Sequence, residues 1–258
     1  VSSAECSAEN GSVFHQKSGR SLRYSDLLEA AASLSVPNVS ELKLKSRPSE
    51  FKLLGTFVPG VDNQKIVTGQ PLFGCDTRLD GMLYAVYEKC PTFGGKIISA
   101  NVDEIRKLPG VTHAFPVEGT SNLTGLLPGI AIVAESWWQA NSARKQLRED
   151  WETSHADSTA EYDRQAEALR VESGEILRSD GDFNNAIDNA SKVVEASYYY
   201  PFVSHANMEP QNCTALLHES GKMELWAPSQ NPKSGRKLIS ETLGIPEDKI
   251  HVNLTRIG

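Results

Sequence analysis

The chain has little cysteine. Its four thiols, Cys6, Cys75, Cys90 and Cys213, lie far apart among 258 residues, with no CxxC spacing and no Cys/His cluster. Zinc sites and cysteine-ligated iron–sulfur clusters draw their ligands from close pairs, so neither is expected, and the thiols read as buried and reduced. Positive charge is also short: 26 basic residues face 33 acidic ones, for a formal net charge of −7. A general nucleic-acid binder needs a basic face to neutralise phosphate, so that class is disfavoured. No apolar run approaches the roughly 20 residues of a membrane-spanning helix. The opening Val1-Ser2-Ser3-Ala4-Glu5 has neither a basic start nor an apolar stretch and does not read as a signal peptide. HExxH, GxSxG and phosphate-loop motifs are missing too, so an unrelated hydrolase would have no recognisable nucleophile.

What is present reads as soluble and globular, because 39% hydrophobic and 23% charged residues can build a core without resembling a disordered tract. The length suits one large or two modest domains. Periodicity predicts an α+β chain in three stretches: 1–50, 51–180 and 181–258. In the first, residues 11–15 and 20–23 pattern as a hairpin about Ser18-Gly19, and Ser25 is placed to cap a helix with Leu27, Leu28, Ala31 and Leu34 on one face. A connector rich in proline and charge follows to residue 50. In the second, strands are expected at 82–87, 96–99, 111–117 and 129–134, with turn-rich sequence over 119–125. Asn101 and Glu104 have capping-box spacing for a short helix stopped by Pro109-Gly110. Trp137, Ala140, Arg144, Leu147 and Trp151 recur as one helical seam, and core packing is the ordinary role for such tryptophans. Residues 152–180 are a polar excursion with an exposed helix over 160–171. In the third, a helix begins near Asp182 and runs into a strand. Strands follow at 213–217 and 223–227 about Ser220-Gly221, then a loop 228–232, a helix 234–243 ended by Gly244, and a strand 250–257.

Spacing alone assembles no catalytic constellation. His15, His113 and His251 sit in strand patterns. His205 and Glu209 are four apart, a metal-binding spacing on a helix, but Pro201 and Pro210 flank them and make a helix doubtful. Phe93-Gly94-Gly95-Lys96 reads as a tight turn into a strand. Gln230 is the polar residue with least structural explanation: an amide between two prolines, after an apolar strand and before a helix, able to donate and accept at once. A loop-stabilising role is the plainer reading of it.

Longer stretches carry a resemblance. Gly181-Asp182-Phe183-Asn184-Asn185-Ala186 through Val193-Val194-Glu195-Ala196 resembles the large subunit of the xanthine dehydrogenase and aldehyde oxidase family. So do the run from Tyr200-Pro201-Phe202 through His205-Ala206-Asn207-Met208-Glu209-Pro210-Gln211-Asn212-Cys213-Thr214-Ala215 and the run Trp226-Ala227-Pro228-Ser229-Gln230-Asn231-Pro232. The wording is most similar to the isoquinoline 1-oxidoreductase beta-subunit branch. Pro91-Thr92-Phe93-Gly94-Gly95-Lys96 and Leu108-Pro109-Gly110-Val111 resemble that family's α/β hammerhead domain. Cys6 to Gly11 and Ser18 to Tyr24 resemble the stretch that precedes it.

The resemblance implies a fold: a hammerhead domain over 51–180, a preceding segment over 1–50, and the start of the molybdopterin-binding domain over 181–258. It also implies a molybdenum hydroxylase that oxidises N-heterocycles or aldehydes with oxygen from water. The cofactor would be molybdenum-molybdopterin, in its cytosine dinucleotide form, and electrons would leave through a separate [2Fe–2S] small subunit. Gln230 falls on the family's glutamine beside the molybdenum oxo ligand. Gly258 falls on the first residue of a glycine-rich run that approaches the cofactor. The base glutamate and most pterin contacts are expected beyond Gly258, so no catalytic residue is expected within these residues, and the isolated piece is expected to be inactive. Glu209 reads as a structural carboxylate and His205 as a packing or hydrogen-bonding residue. The resemblance favours the periplasm over the cytoplasm. An alternative reading is a non-catalytic hammerhead interaction or scaffold module; a reading frame that continues past Gly258 into further glycines and a Phe favours the enzyme. The last strand, left at a sheet edge, invites self-association.

Overall fold

A computed structural model describes residues 1–120, 122, 125–153 and 158–258. Of the expected turn at 119–125, residues 121, 123 and 124 lie outside the described residues, as do 154–157 of the polar excursion. The chain divides into two compact units, Val1–Asn63 and Gln64–Gly258.

The first unit is a three-stranded antiparallel sheet, β1 (Cys6–Glu9), β2 (Ser12–His15) and β3 (Arg20–Arg23), in that order. Sequence patterning foresees β2 and β3 but not β1. Its signal is Asn10-Gly11, both at positive φ (49° and 73°), which closes a two-residue hairpin where Glu9 faces Ser12. A 3-10 turn over Tyr24–Leu27 leads into α1 (Leu28–Ala32). The expected Ser25 cap is not formed: Asp26 reaches back to the Arg23 N–H at 3.2 Å, and the Ser25 hydroxyl donates to Asp26 instead. Leu28 and Leu34, expected on a buried face, are exposed. The connector has only isolated turns, as its proline and charge predict. A short helix, α2 (Asn63–Val67), falls on the division between the units.

The second unit contains β4 (Tyr84–Lys89), β5 (Lys96–Ala100), α3 (Val102–Ile105), β6 (Val111–Val117), β7 (Gly129–Ala134), α4 (Trp137–Arg144), β8 (Glu149–Glu152) and α5 (Thr159–Leu169). Strand β7 lies between β4 and β6, antiparallel to both, and β5 pairs antiparallel with β8. A central strand has both faces covered, which is why β7 reads Gly-Ile-Ala-Ile-Val-Ala without polar alternation. Ile130 and Ile132 are fully buried, Ile105 of α3 is 1% exposed, and Ala140 and Ala143 of α4 pack on the same cluster. Two expectations need correction. Asn101 does not cap α3 with its side chain; its oxygen accepts the Arg148 N–H at 2.8 Å and its amide reaches the Gln146 carbonyl at 3.2 Å, tying α3 to the approach of β8. The seam from Trp137 to Trp151 is not one helix. It breaks after Arg144, small alanines make the contact, Trp151 packs from β8, and Trp137 is 54% exposed. Arg144 is drawn instead into an ion pair with Glu88.

After α5 comes α6 (Phe183–Asp188), capped by Asp182 onto the Asn185 N–H. The strand expected after it does not form, and residues 189–213 have no regular element. The last sheet contains β9 (Thr214–Leu217), β10 (Met223–Ala227) and β11 (Ile250–Leu254), with α7 (Pro232–Leu243) between the last two strands. Strand β10 is central, antiparallel to β9 and parallel to β11. Asn231 caps α7, and Gly244 ends it in the left-handed conformation, φ 70°. Ile239 and Ile245 pack on Met223, Leu225 and Ile250. No described helix is long and apolar enough to cross a membrane.

Candidate cofactor-binding site

A parallel strand–helix–strand unit sends the carboxyl ends of its two strands to one edge of the sheet, with the helix amino terminus beside them. Ligands of such sheets collect at that edge. Here β10 ends at Ala227 and delivers Gln230 just before the Asn231 cap of α7, while β11 ends at Leu254 and delivers residues 255–258. Trp226 pairs with Asn253 and Ala227 with Leu254, so the two exits leave in register. Gln230 is exposed, and its amide makes no hydrogen bond among the described residues. The loop-stabilising role therefore lacks the contact it would need.

Past β11 the chain is held at residues 255, 256 and 258. Thr255 N–H donates to the Ala227 carbonyl at 3.2 Å, and Arg256 N–H donates to the Leu72 carbonyl at 2.8 Å. Phe73 and Arg256 form a parallel bridge. Gly258 N–H then donates to Glu209 Oε2 at 2.9 Å, while Gly258 O accepts the Glu209 N–H at 3.3 Å. The other oxygen, Glu209 Oε1, accepts the Cys75 N–H at 2.8 Å and the Asn212 side-chain amide at 2.9 Å. Glu209 is 8% exposed and is the buried charged side chain of the described residues. Burial pushes its carboxyl up, but the Cys75, Asn212 and Gly258 hydrogen bonds together outweigh that and hold it below the ordinary value. The same carboxylate raises the Cys75 thiol, chiefly by hydrogen bonding. Gly74 is needed beneath this knot, since a Cβ there would come 2.4 Å from Asn212 Oδ1. Thr255 Oγ1 is buried at this edge without a hydrogen-bond partner among the described residues.

The structural role expected for Glu209 is thus borne out, whereas His205 is exposed, outside any helix, and makes no hydrogen bond among the described residues. His113 and His251 are exposed on their strands. His15 has Glu5 and Ser18 at its two ring nitrogens, 3.2 and 2.7 Å away. Of the four thiols only Cys90 is buried; Cys75 and Cys213 are exposed, because the segments carrying them lie at the surface. Cys90 Sγ sits where a Cβ on Gly95 would come within 2.5 Å, and this explains the glycine in the turn into β5. Among the described residues no group of three or more His, Cys, Asp or Glu side chains could hold a metal ion. Sequence reading missed residues 72–76, whose part in the site is visible only once they are folded against Glu209 and residues 255–258.

Residues 168–258 match the family model described as the molybdopterin cofactor-binding domain. It is 25% identical to the isoquinoline 1-oxidoreductase subunit beta of Brevundimonas diminuta, covering 100% of this chain and 37% of that protein. It is 24% identical to the xanthine dehydrogenase molybdenum-binding subunit of Escherichia coli O157:H7, covering 77% and 31%. Its fold is similar to part of quinoline 2-oxidoreductase from Pseudomonas putida 86, with a TM-score of 0.56 and 20% identity over 78% of this chain and 30% of that one. The chain spans about a third of the length of the curated relatives it matches.

Proposed function

We propose that this chain is part of the large subunit of a molybdenum hydroxylase that oxidises N-heterocycles or aldehydes with water as oxygen source. The observation that carries the reading is the shared exit of β10 and β11, which sets Gln230 and Gly258 at one sheet edge inside the segment matched to the cofactor-binding domain. The residues at that edge fit the group: an amide and a buried hydroxyl that lack hydrogen-bond partners among the described residues, and a glycine with no side chain to bar a close approach. When bound, the molybdenum–molybdopterin cofactor, in its cytosine dinucleotide form, supplies oxygen transfer and accepts two electrons. This chain's residues bind and orient. Gln230 offers one N–H donor and one carbonyl acceptor to a polar cofactor edge, and Gly258 lets the backbone approach it.

The names of several relatives designate a subunit, which supports a multi-subunit enzyme; the finer reading is a [2Fe–2S] small-subunit partner that takes the electrons. The compartment we infer is the periplasm, with cell fractionation as its test and a cytoplasmic location as the outcome against it. The protein should be produced at full length together with a candidate [2Fe–2S] small subunit. Stoichiometric molybdenum, with 18O from labelled water appearing in an oxidised N-heterocycle or aldehyde, is the expected result. A fully matured protein without molybdenum sinks the reading.

A further inference from the structure

Glu209 is buried and forms no ion pair among the described residues, and its hydrogen bonds come from neutral donors on three separate segments. Two of these donors are backbone N–H groups, at Cys75 and Gly258, 134 and 49 residues away in sequence. An ionised carboxylate is acceptor-only on both oxygens, which is what opposed donors require. A carboxamide offers one acceptor oxygen and would turn its NH2 against a facing N–H. Because Oε1 accepts from two N–H groups, those of Cys75 and Asn212, and Oε2 accepts from the Gly258 N–H, a glutamine would keep its oxygen on the Cys75 side and release Gly258. The carboxylate is therefore specifically what the Gly258 side needs.

We propose that Glu209 is a positioning residue, a two-sided latch whose carboxylate fixes the chain at Gly258 against the turn at residues 73–76 and so sets where the exit of β11 presents itself to the cofactor. The latch acts through Gly258 and touches no reacting atom. It rests on the functional reading above for its purpose, but its geometry is independent of that reading.

The test compares full-length wild-type protein with Glu209→Gln by amide hydrogen exchange at Cys75 and Gly258, by molybdenum content, and by the Mo(V) electron paramagnetic resonance signal. Exchange at Gly258 should rise by about tenfold or more, the loss expected for one charge-assisted hydrogen bond, while exchange at Cys75 stays near wild type. The Mo(V) signal should shift or molybdenum content fall. Equal acceleration at both amides means general loosening and overturns the latch, as does no change at either. An unaltered Mo(V) signal at full molybdenum content overturns its link to the cofactor. If E209Q does not fold, Gly258→Ala probes the same contact from the other side, since the added Cβ would press within 3.1 Å of Glu209 Cβ. It should free residue 258 and leave Cys75 protected, and protection at both overturns the latch. Wild-type protein without molybdenum fails the functional reading alone; the contrast between the two amides still decides the latch.

Discussion

At the scale of single residues, Glu209 and Gln230 are opposites: one buried and fully engaged, the other exposed and without a hydrogen bond among the described residues. Their substitutions should separate accordingly. Glu209→Ala strands three donors and should cost roughly 3 kcal/mol or more in urea unfolding at neutral pH. The sign with pH follows from the lowered carboxyl. A group whose folded pKa lies below its unfolded one stabilises fully above the ordinary carboxylate range and loses that contribution as pH falls through the folded value. The stability gap between wild type and E209Q should therefore be widest at neutral pH and shrink through the acid range. A gap that grows on acidification would contradict the assignment. Gln230→Ala should leave the unfolding midpoint within about 0.5 kcal/mol of wild type, as exposed positions do, while lowering turnover of the hydroxylase proposed above.

At the scale of elements, β7 is the strand on which the middle of the chain is built. Ile132 is fully buried between β4 and β6, so Ile132→Ala should cost about 2–5 kcal/mol, read from denaturant midpoints. Gly110 ends the stretch after α3 with φ 77°, and a Cβ there would collide with the Gln139 side chain at 2.0 Å. Gly110→Ala should destabilise by about 1–2 kcal/mol from the left-handed backbone alone. Much of this level was legible in sequence: β6 and β7 stand where apolar runs met turn signals, and Gly244 stopped α7 as its place predicted. The Trp137 seam misled because helical spacing ran on into residues that β5 recruits as a strand partner. Strand formation at residues 149–152 depends on that distant pairing, which a local window does not contain.

At the scale of the whole molecule, β11 has β10 on one side and, among the described residues, no ladder along the strand itself on the other. Pairing with a second copy is the expected consequence for the isolated 258-residue chain. Light scattering over a concentration series should show association, and a strict monomer would count against it. The same isolated chain should purify without stoichiometric molybdenum. Sequence by itself determined the α+β class, the strand–helix–strand order that carries Gln230, and the family resemblance. Local periodicity, caps and motif wording are properties of neighbouring residues. Only the tertiary structure decided that Glu209 joins Cys75, Asn212 and Gly258, and that Gln230 makes no hydrogen bond among the described residues. A hydrogen bond spanning 134 residues leaves no periodic trace, and whether an amide is free depends on every segment folded around it.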